Sequence, residues 1–386
     1  MPARAIDNAY LARILADLVR INSVNPSLVS GGPGEAAAAA YVARALRRLG
    51  LEVTVVESTP GRPSVVGTLR GKGGGRSLML NAHLDTVGVE GMPAPFTPVV
   101  REGRMYGRGA FDMKGSLAAS LTAVKALVDA GVSLRGDLVL AGVADEEYAS
   151  IGTAETIGRV QVDGAIVTEA TELDLCLAHK GFVWLEVETF GRAAHGSRFD
   201  EGIDANIRMG RVLAALDALE QELRSRRPHP LVGPPSLHAA VLMGGTELST
   251  YAAHASLKIE RRTIPGETQA QVETEIAAIL QRVTTADPAF RATSKTLLVR
   301  QPFEVSADAP LVRALQRAIT DQRGKPPALI GKPFWMDSAL LAAAGIESVV
   351  VGPVGAGAHA AEEWVDFKSL EDLASILVET AVAYCG

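Results

Sequence analysis

From Asn8-Ala9-Tyr10-Leu11 through Ile21, apolar residues recur at helical spacing, which predicts an amphipathic helix over 8–21. Ser23-Val24-Asn25-Pro26 supplies the turn chemistry that ends it. An Ala- and Leu-rich stretch predicts a second helix over 35–50, stopped by Gly50, and 51–56 reads as a strand. Two short apolar runs, 77–81 and 137–144, read as buried parallel strands on either side of an Ala-rich helix over 114–130. That alternation predicts an α/β fold, a mostly parallel sheet with helices on both faces. The C-terminal part repeats it, with helices expected over 311–322, 338–344 and 370–383 and a buried strand over 348–351. Gly71-Lys72-Gly73-Gly74-Gly75 lies between two strands. It lacks the Ser/Thr and following helix of a phosphate loop and reads as a flexible hairpin turn.

The middle of the chain changes period. Residues 183–190 and 255–260 alternate as half-exposed strands do, and helices are expected over 205–222 and 268–282. One-sided strands interleaved with helices predict a smaller α+β domain inserted into the larger one. The expected division is 1–180 with 301–386 against 181–300, and a chain of 386 residues suits two domains. Between the inserted helices, the Pro-rich stretch 226–235 reads as a long surface loop.

Composition narrows the class. Apolar residues make up 47%, and 38 Lys plus Arg against 44 Asp plus Glu leave a formal charge of −6. Such a surface offers no electrostatic attraction for nucleic acid or an anionic membrane. Cys176 and Cys385 form no disulfide framework and read as one buried and one tail thiol. Residues 1–25 carry no basic region followed by an apolar run, and no apolar stretch approaches the ~20 residues that span a bilayer. The expected location is the cytoplasm.

Four segments carry candidate chemistry. His83-Leu84-Asp85 follows the strand ending near Asn81, and at spacing i, i+2 the imidazole and carboxylate can meet. A carboxylate on one ring nitrogen leaves the other free for a metal. Asp112 lies in a Gly-rich turn, 107–115, leading into a helix. Asp145-Glu146-Glu147 follows one apolar strand and Glu169 another, at the strand ends where open α/β sheets place their sites. Three consecutive acids repel unless cations are near; otherwise they decorate a helix N-terminus. The glycines of 352–357 permit a tight loop that returns His359 toward the strand ends as a second nitrogen donor.

The segments 83–85, 107–115, 145–147, 191–197 and 352–363 resemble, in order over nearly the whole chain, the family of acetylornithine deacetylase, succinyl-diaminopimelate desuccinylase, aminoacylase and glutamate carboxypeptidase. The resemblance implies a zinc-exopeptidase-like domain with an inserted lid or dimerisation domain, a homodimer, and two divalent ions, usually zinc, with cobalt or manganese as alternatives. It implies that His83, Asp112 and Glu169 ligate one ion and that Asp112, Glu147 and His359 ligate the other. By the same resemblance Asp85 orients His83 and Glu146 is the general base. His195 then donates to the oxyanion, and Arg262 grips a free substrate carboxylate. Arg261 is the neighbour with which Arg262 could be confused; one of the two is expected to lie idle on the surface.

Two segments depart from the family pattern. After Gly244-Gly245 the usual asparagine is replaced by a stretch in which Ser249, Thr250 or Tyr251 could substitute, and a proline-containing stretch after His195 is missing. His179, His229, His238 and His254 match no motif and read as surface or loop residues. The functional expectation is metal-dependent hydrolysis of an N-acyl amino acid. A metallo-carboxypeptidase or dipeptidase with the same site is the first alternative, and a non-catalytic binding protein on the same fold is the remote one.

Overall fold

The N-terminal helix Asn8–Arg20 begins where Asp7 accepts the Tyr10 N–H, and it buries Leu11, Leu15 and Leu18. It packs on the helix Gly115–Asp129, which is flanked in turn by Phe367–Cys385. Enclosure by two helices and a sheet explains why Gly115–Asp129 is buried nearly all round and rich in Ala, Leu and Ser. These residues belong to a computed structural model that describes residues 5–386; the first four positions of the N-terminal stretch read above lie outside them.

The chain forms two units. The first runs to Leu177 and resumes over Val305–Ile330 and Met336–Gly386. Its sheet orders the strands Glu52–Val56, Ser64–Leu69, Leu138–Val143, Leu78–His83, Gly164–Val167, Glu347–Val350 and Leu175–His179. Leu78–His83 is parallel to both Leu138–Val143 and Gly164–Val167, and Glu347–Val350 is parallel to Gly164–Val167. These four strands are buried almost throughout, which is why they read as unbroken apolar runs. The 71–75 segment is not a hairpin turn, because Ser64–Leu69 and Leu78–His83 flank Leu138–Val143 on opposite sides. The segment instead crosses the end of that strand, with Lys72 and Gly73 donating to the carbonyls of Leu134 and Arg135.

A small antiparallel sheet joins Gly355–Ala356, Trp364–Asp366, Arg104–Tyr106 and Val99–Arg101. It pairs the stem of the 352–363 loop with the strand that leads into the Asp112 turn, Trp364 opposite Tyr106.

The second unit comprises Ala178–Glu304 and Gly331–Trp335. Its antiparallel sheet runs Ser236–Gly244, His254–Thr263, Gly181–Phe190, Arg291–Arg300. Val183, Leu185, Val187, Leu257 and Ile259 face a core shared with Met209, Val212, Val272 and Ile276 of the helices Ala205–Ser225 and Gln269–Ala286. The strands Ser236–Gly244 and Arg291–Arg300 were not expected. His179 corrects a surface assignment: it is fully buried in a strand and stacks on Phe303 with ring centroids 5.1 Å apart. Arg261 is not idle either. It is 1% exposed and ion-paired with Glu267 and Glu275, while Arg262 on the opposite sheet face bonds Glu260 and lies over the Phe182 ring.

Candidate metal centre

In the first unit, the carboxyl ends of the four parallel strands deliver the candidate groups. His83 is the last residue of its strand. Asp145–Glu147 follow Leu138–Val143, Glu169 follows Gly164–Val167, and the His359 loop follows Glu347–Val350. Loop geometry completes the set. A Cβ on Gly352 would lie 2.3 Å from the main-chain oxygen of Glu169, so only glycine lets the two strand exits pass. Gly357, at φ 83°, then turns the chain, and His359 itself sits at φ 63°.

Asp112 lies between two imidazoles. Its Oδ1 is 3.0 Å from His83 Nε2 and its Oδ2 is 3.3 Å from His359 Nε2. His359 Nε2 is also 3.0 Å from Glu147 Oε2, and His83 Nε2 is 3.4 Å from Glu169 Oε1. Ligand atoms of His83, Asp112 and Glu147 lie within 4.8 Å of one another, as do those of His83, Glu146 and Glu169. Burial and the Asp112 charge push Glu147 up to about 7 and Glu169 up to about 8. Burial and Glu169 hold Glu146 well above the ordinary range too. Hydrogen bonds donated to the Asp112 and Glu147 carboxylates raise His359 to about 10. The pocket thus crowds more carboxylates together than its imidazoles can balance, and Glu147 Oε1 is buried with no hydrogen-bond partner among the described residues. Two divalent cations would satisfy that donor set, borderline nitrogen with hard oxygen.

Supporting contacts differ from the sequence reading in two places. His83 Nδ1 donates to the main-chain carbonyl of Asp85 at 3.0 Å, while the Asp85 carboxylate is 3.6 Å away. A carbonyl only accepts, so in the neutral ring Nδ1 carries the proton and Nε2 keeps its lone pair. The Asp85 carboxylate is engaged by Asn25 Nδ2 and by the main-chain N–H groups of Glu146 and Glu147. The triple-acid run is neither one repulsive cluster nor the N-terminus of a helix. Asp145 turns away at φ 67° to pair with Arg62 at 2.7 Å, and the next helix starts only at Ile151.

Sequence reasoning missed Asn25, Glu35, Arg62, Asp337 and the part played by Glu363, which closes one of the resembling segments but carries no assigned role there. Asp337 is buried, accepts from Thr153 Oγ1 at 2.5 Å, and is raised to about 6 by burial. Of the other expected site residues, His195 and Arg262 belong to the second unit. There His195 is exposed, accepts at Nδ1 from the Ser197 main-chain N–H (3.3 Å) and hydroxyl (2.8 Å), and bridges Thr250 in the backbone.

Comparison with known proteins places this geometry in a family. The chain is 29% identical over 379 residues, 90% of its length and 88% of the relative's, to N-formyl-4-amino-5-aminomethyl-2-methylpyrimidine deformylase of Bacillus subtilis (strain 168). It is 29% identical over 336 residues, 84% of each chain, to acetylornithine deacetylase of Myxococcus xanthus. Its fold matches the YXEP protein of Bacillus subtilis, described as a dinuclear metal binding peptidase from the M20 family, with TM-score 0.77, 15% identity and 98% of each chain covered. Residues 79–383 match the model of peptidase family M20/M25/M40. The chain therefore belongs to peptidase family M20/M25/M40 and is a metal-dependent hydrolase of the amidohydrolase and metallopeptidase kind.

Proposed function

We propose that the chain hydrolyses the amide bond of a small N-acyl amino acid with a free carboxylate, using two divalent ions, zinc by preference. The observation that carries the metal reading is Asp112, with one carboxylate oxygen turned to each of His83 and His359. Asp112 would be shared, His83 and Glu169 would complete one site, and Glu147 and His359 the other. Glu147 is assigned to the His359 side because their atoms are 3.0 Å apart. When bound, such ions polarise a carbonyl and acidify water. Glu146 takes the proton from the attacking water and passes it to the leaving nitrogen. Asp85 orients His83 and holds the amides of Glu146 and Glu147. The roles of His195 as oxyanion donor and Arg262 as carboxylate grip are supported by their motifs and by suitable chemistry.

Among acyl groups, the names of the two relatives favour a small one, formyl or acetyl, over a peptide. The test is kcat/KM over N-formyl and N-acetyl amino acids, dipeptides and an N-formyl aminomethylpyrimidine. Dipeptides ahead would select the peptidase reading, and the pyrimidine ahead would remove the carboxylate requirement.

We also infer a homodimer through the second unit. Its edge strand Ser236–Gly244 exposes Val241, Leu242 and Met243, an unprotected apolar edge of the kind that pairs with another chain. Light scattering on the wild type and on Leu242→Lys tests this; a monomeric wild type would reject it. No helix among the described residues is long and apolar enough to cross a membrane. The cytoplasm stays the proposed location on the sequence reading above.

A further inference from the structure

The chemistry proposed above leaves one buried charged cluster of the first unit unused. Arg62 is 8% exposed and donates from Nε and Nη2 to the two oxygens of Glu35, each at 2.7 Å. Nη2 also donates to Asp145 Oδ1 at 2.7 Å and to Asn25 Oδ1 at 3.1 Å, and Nη1 donates to Ser27 Oγ at 3.1 Å. Asn25 Nδ2 then donates to Asp145 Oδ1 at 3.0 Å and to Asp85 Oδ2 at 2.8 Å. The two Asp85 oxygens accept the N–H groups of Glu146 and Glu147, both at 3.2 Å. Glu35 Oε1 closes the circuit by accepting the Asp145 N–H at 3.1 Å.

Asp145 is therefore held at its main chain by Glu35 and at its side chain by Arg62 and Asn25. It is held at φ 67°, in the left-handed region that few residues other than glycine enter and that aspartate enters more readily than most. The residues directly after it are Glu146 and Glu147. A buried ion pair can be merely structural, and removing one partner then costs stability and nothing else. Here the hydrogen bonds run without a break from the guanidinium to the amides of the two functional glutamates. We propose that Arg62, acting through Asp145, Asn25 and Asp85, is the positioning residue that sets the Glu146–Glu147 turn. It thereby governs both the metal affinity of Glu147 and the reach of Glu146. The inference rests on the metal-site reading above.

The test uses Arg62→Met, Arg62→Lys and Asn25→Ala in the full chain, with two readouts. Zinc dissociation constants of metal-stripped protein, from chelator competition, need no turnover. The expected result is a 10- to 100-fold weakening at one of two sites, about the size of effects from groups that support metal ligands. At zinc saturation, kcat on the best N-acyl substrate falls by about 10- to 100-fold while KM moves by less than about threefold. Arg62→Lys, which keeps the charge but loses the fork, recovers only part. Should Arg62→Met fail to fold, Asn25→Ala carries the same prediction without stranding a buried carboxylate partner of Arg62. Folded variants with wild-type zinc affinity and kcat would overturn the inference, whatever their melting temperature. A wild type that binds no zinc would overturn the metal reading, and this inference with it.

Discussion

Glu363 accepts the main-chain N–H of Asp112 at 3.0 Å across 251 positions of sequence. The same carboxylate accepts from Phe111 N, Gly109 N and Arg108 Nη1, and it is 1% exposed. The turn that aims Asp112 at both imidazoles is thus wound around one buried anion, and the small sheet brings that anion there.

Glu363→Ala should therefore strip the turn of its acceptor and leave the buried Arg108 charge unpaired. Breaking a buried pair by removing one partner costs about 3–5 kcal/mol. Urea unfolding of the metal-free variant should show a loss of that order, and zinc binding should weaken with it. An unchanged unfolding midpoint would show that Glu363 does not organise the turn.

On the proposed mechanism, Glu146→Gln removes the proton acceptor and leaves His83, Asp112, Glu147, Glu169 and His359 in place. Zinc content should stay near the wild-type level while kcat drops by several orders of magnitude, roughly the span expected when a general base is deleted. Activity within about tenfold of wild type would take the base role away from Glu146.

His195→Ala separates binding from catalysis. If His195 donates to an oxyanion, which exists only in the transition state, kcat should fall by about 10²–10³ while KM changes little. A rise in KM alone would make His195 a substrate-binding residue instead.

The metal-free protein should become less stable as pH rises. Glu147 and Glu169, pushed up to about 7 and about 8 from 4.5, keep protons in the fold that the unfolded chain releases. Their effect on stability falls away from about pH 4.5 up to those values. His359, raised from 6.5 to about 10, adds stability that is complete below the lower value and lost toward the upper. These signs agree and outnumber Lys114, which burial lowers to about 7 and which acts the other way above that pH, so the melting temperature of metal-stripped protein should decline from pH 6 to 9. The gain on adding zinc should widen over the same range, because ligands must be deprotonated to bind. A metal-free melting temperature that climbs with pH would contradict the charge balance described here.

The parts of the site that lie at parallel strand ends were legible because such strands are buried on both faces. Leu78–His83, Leu138–Val143 and Gly164–Val167 stand out as apolar runs, and a polar residue at the end of each or within two positions beyond it marks an exit. Arg62, Glu35 and Asn25 carry no such mark. Their partners in this network lie 27 to 120 positions away, and only the completed sheet brings them to Asp145. Strand parity put Arg261 and Arg262 on opposite faces, yet which face held Glu267 and Glu275 depended on where the helix Gln269–Ala286 packed. The strands Ser236–Gly244 and Arg291–Arg300 escaped notice because they lie at the two edges of their sheet. There burial is too slight to impose an alternating pattern. The hairpin reading of 71–75 does not hold because strands adjacent in sequence are not adjacent in space here: Leu138–Val143 lies between them.

The most direct test of the central claim is a zinc titration of metal-stripped wild-type protein, with bound metal measured by elemental analysis. Asp112 shared between His83 and His359 predicts about two ions per chain, both lost in Asp112→Ala. One ion or none at saturation, or two ions retained by Asp112→Ala, would contradict it.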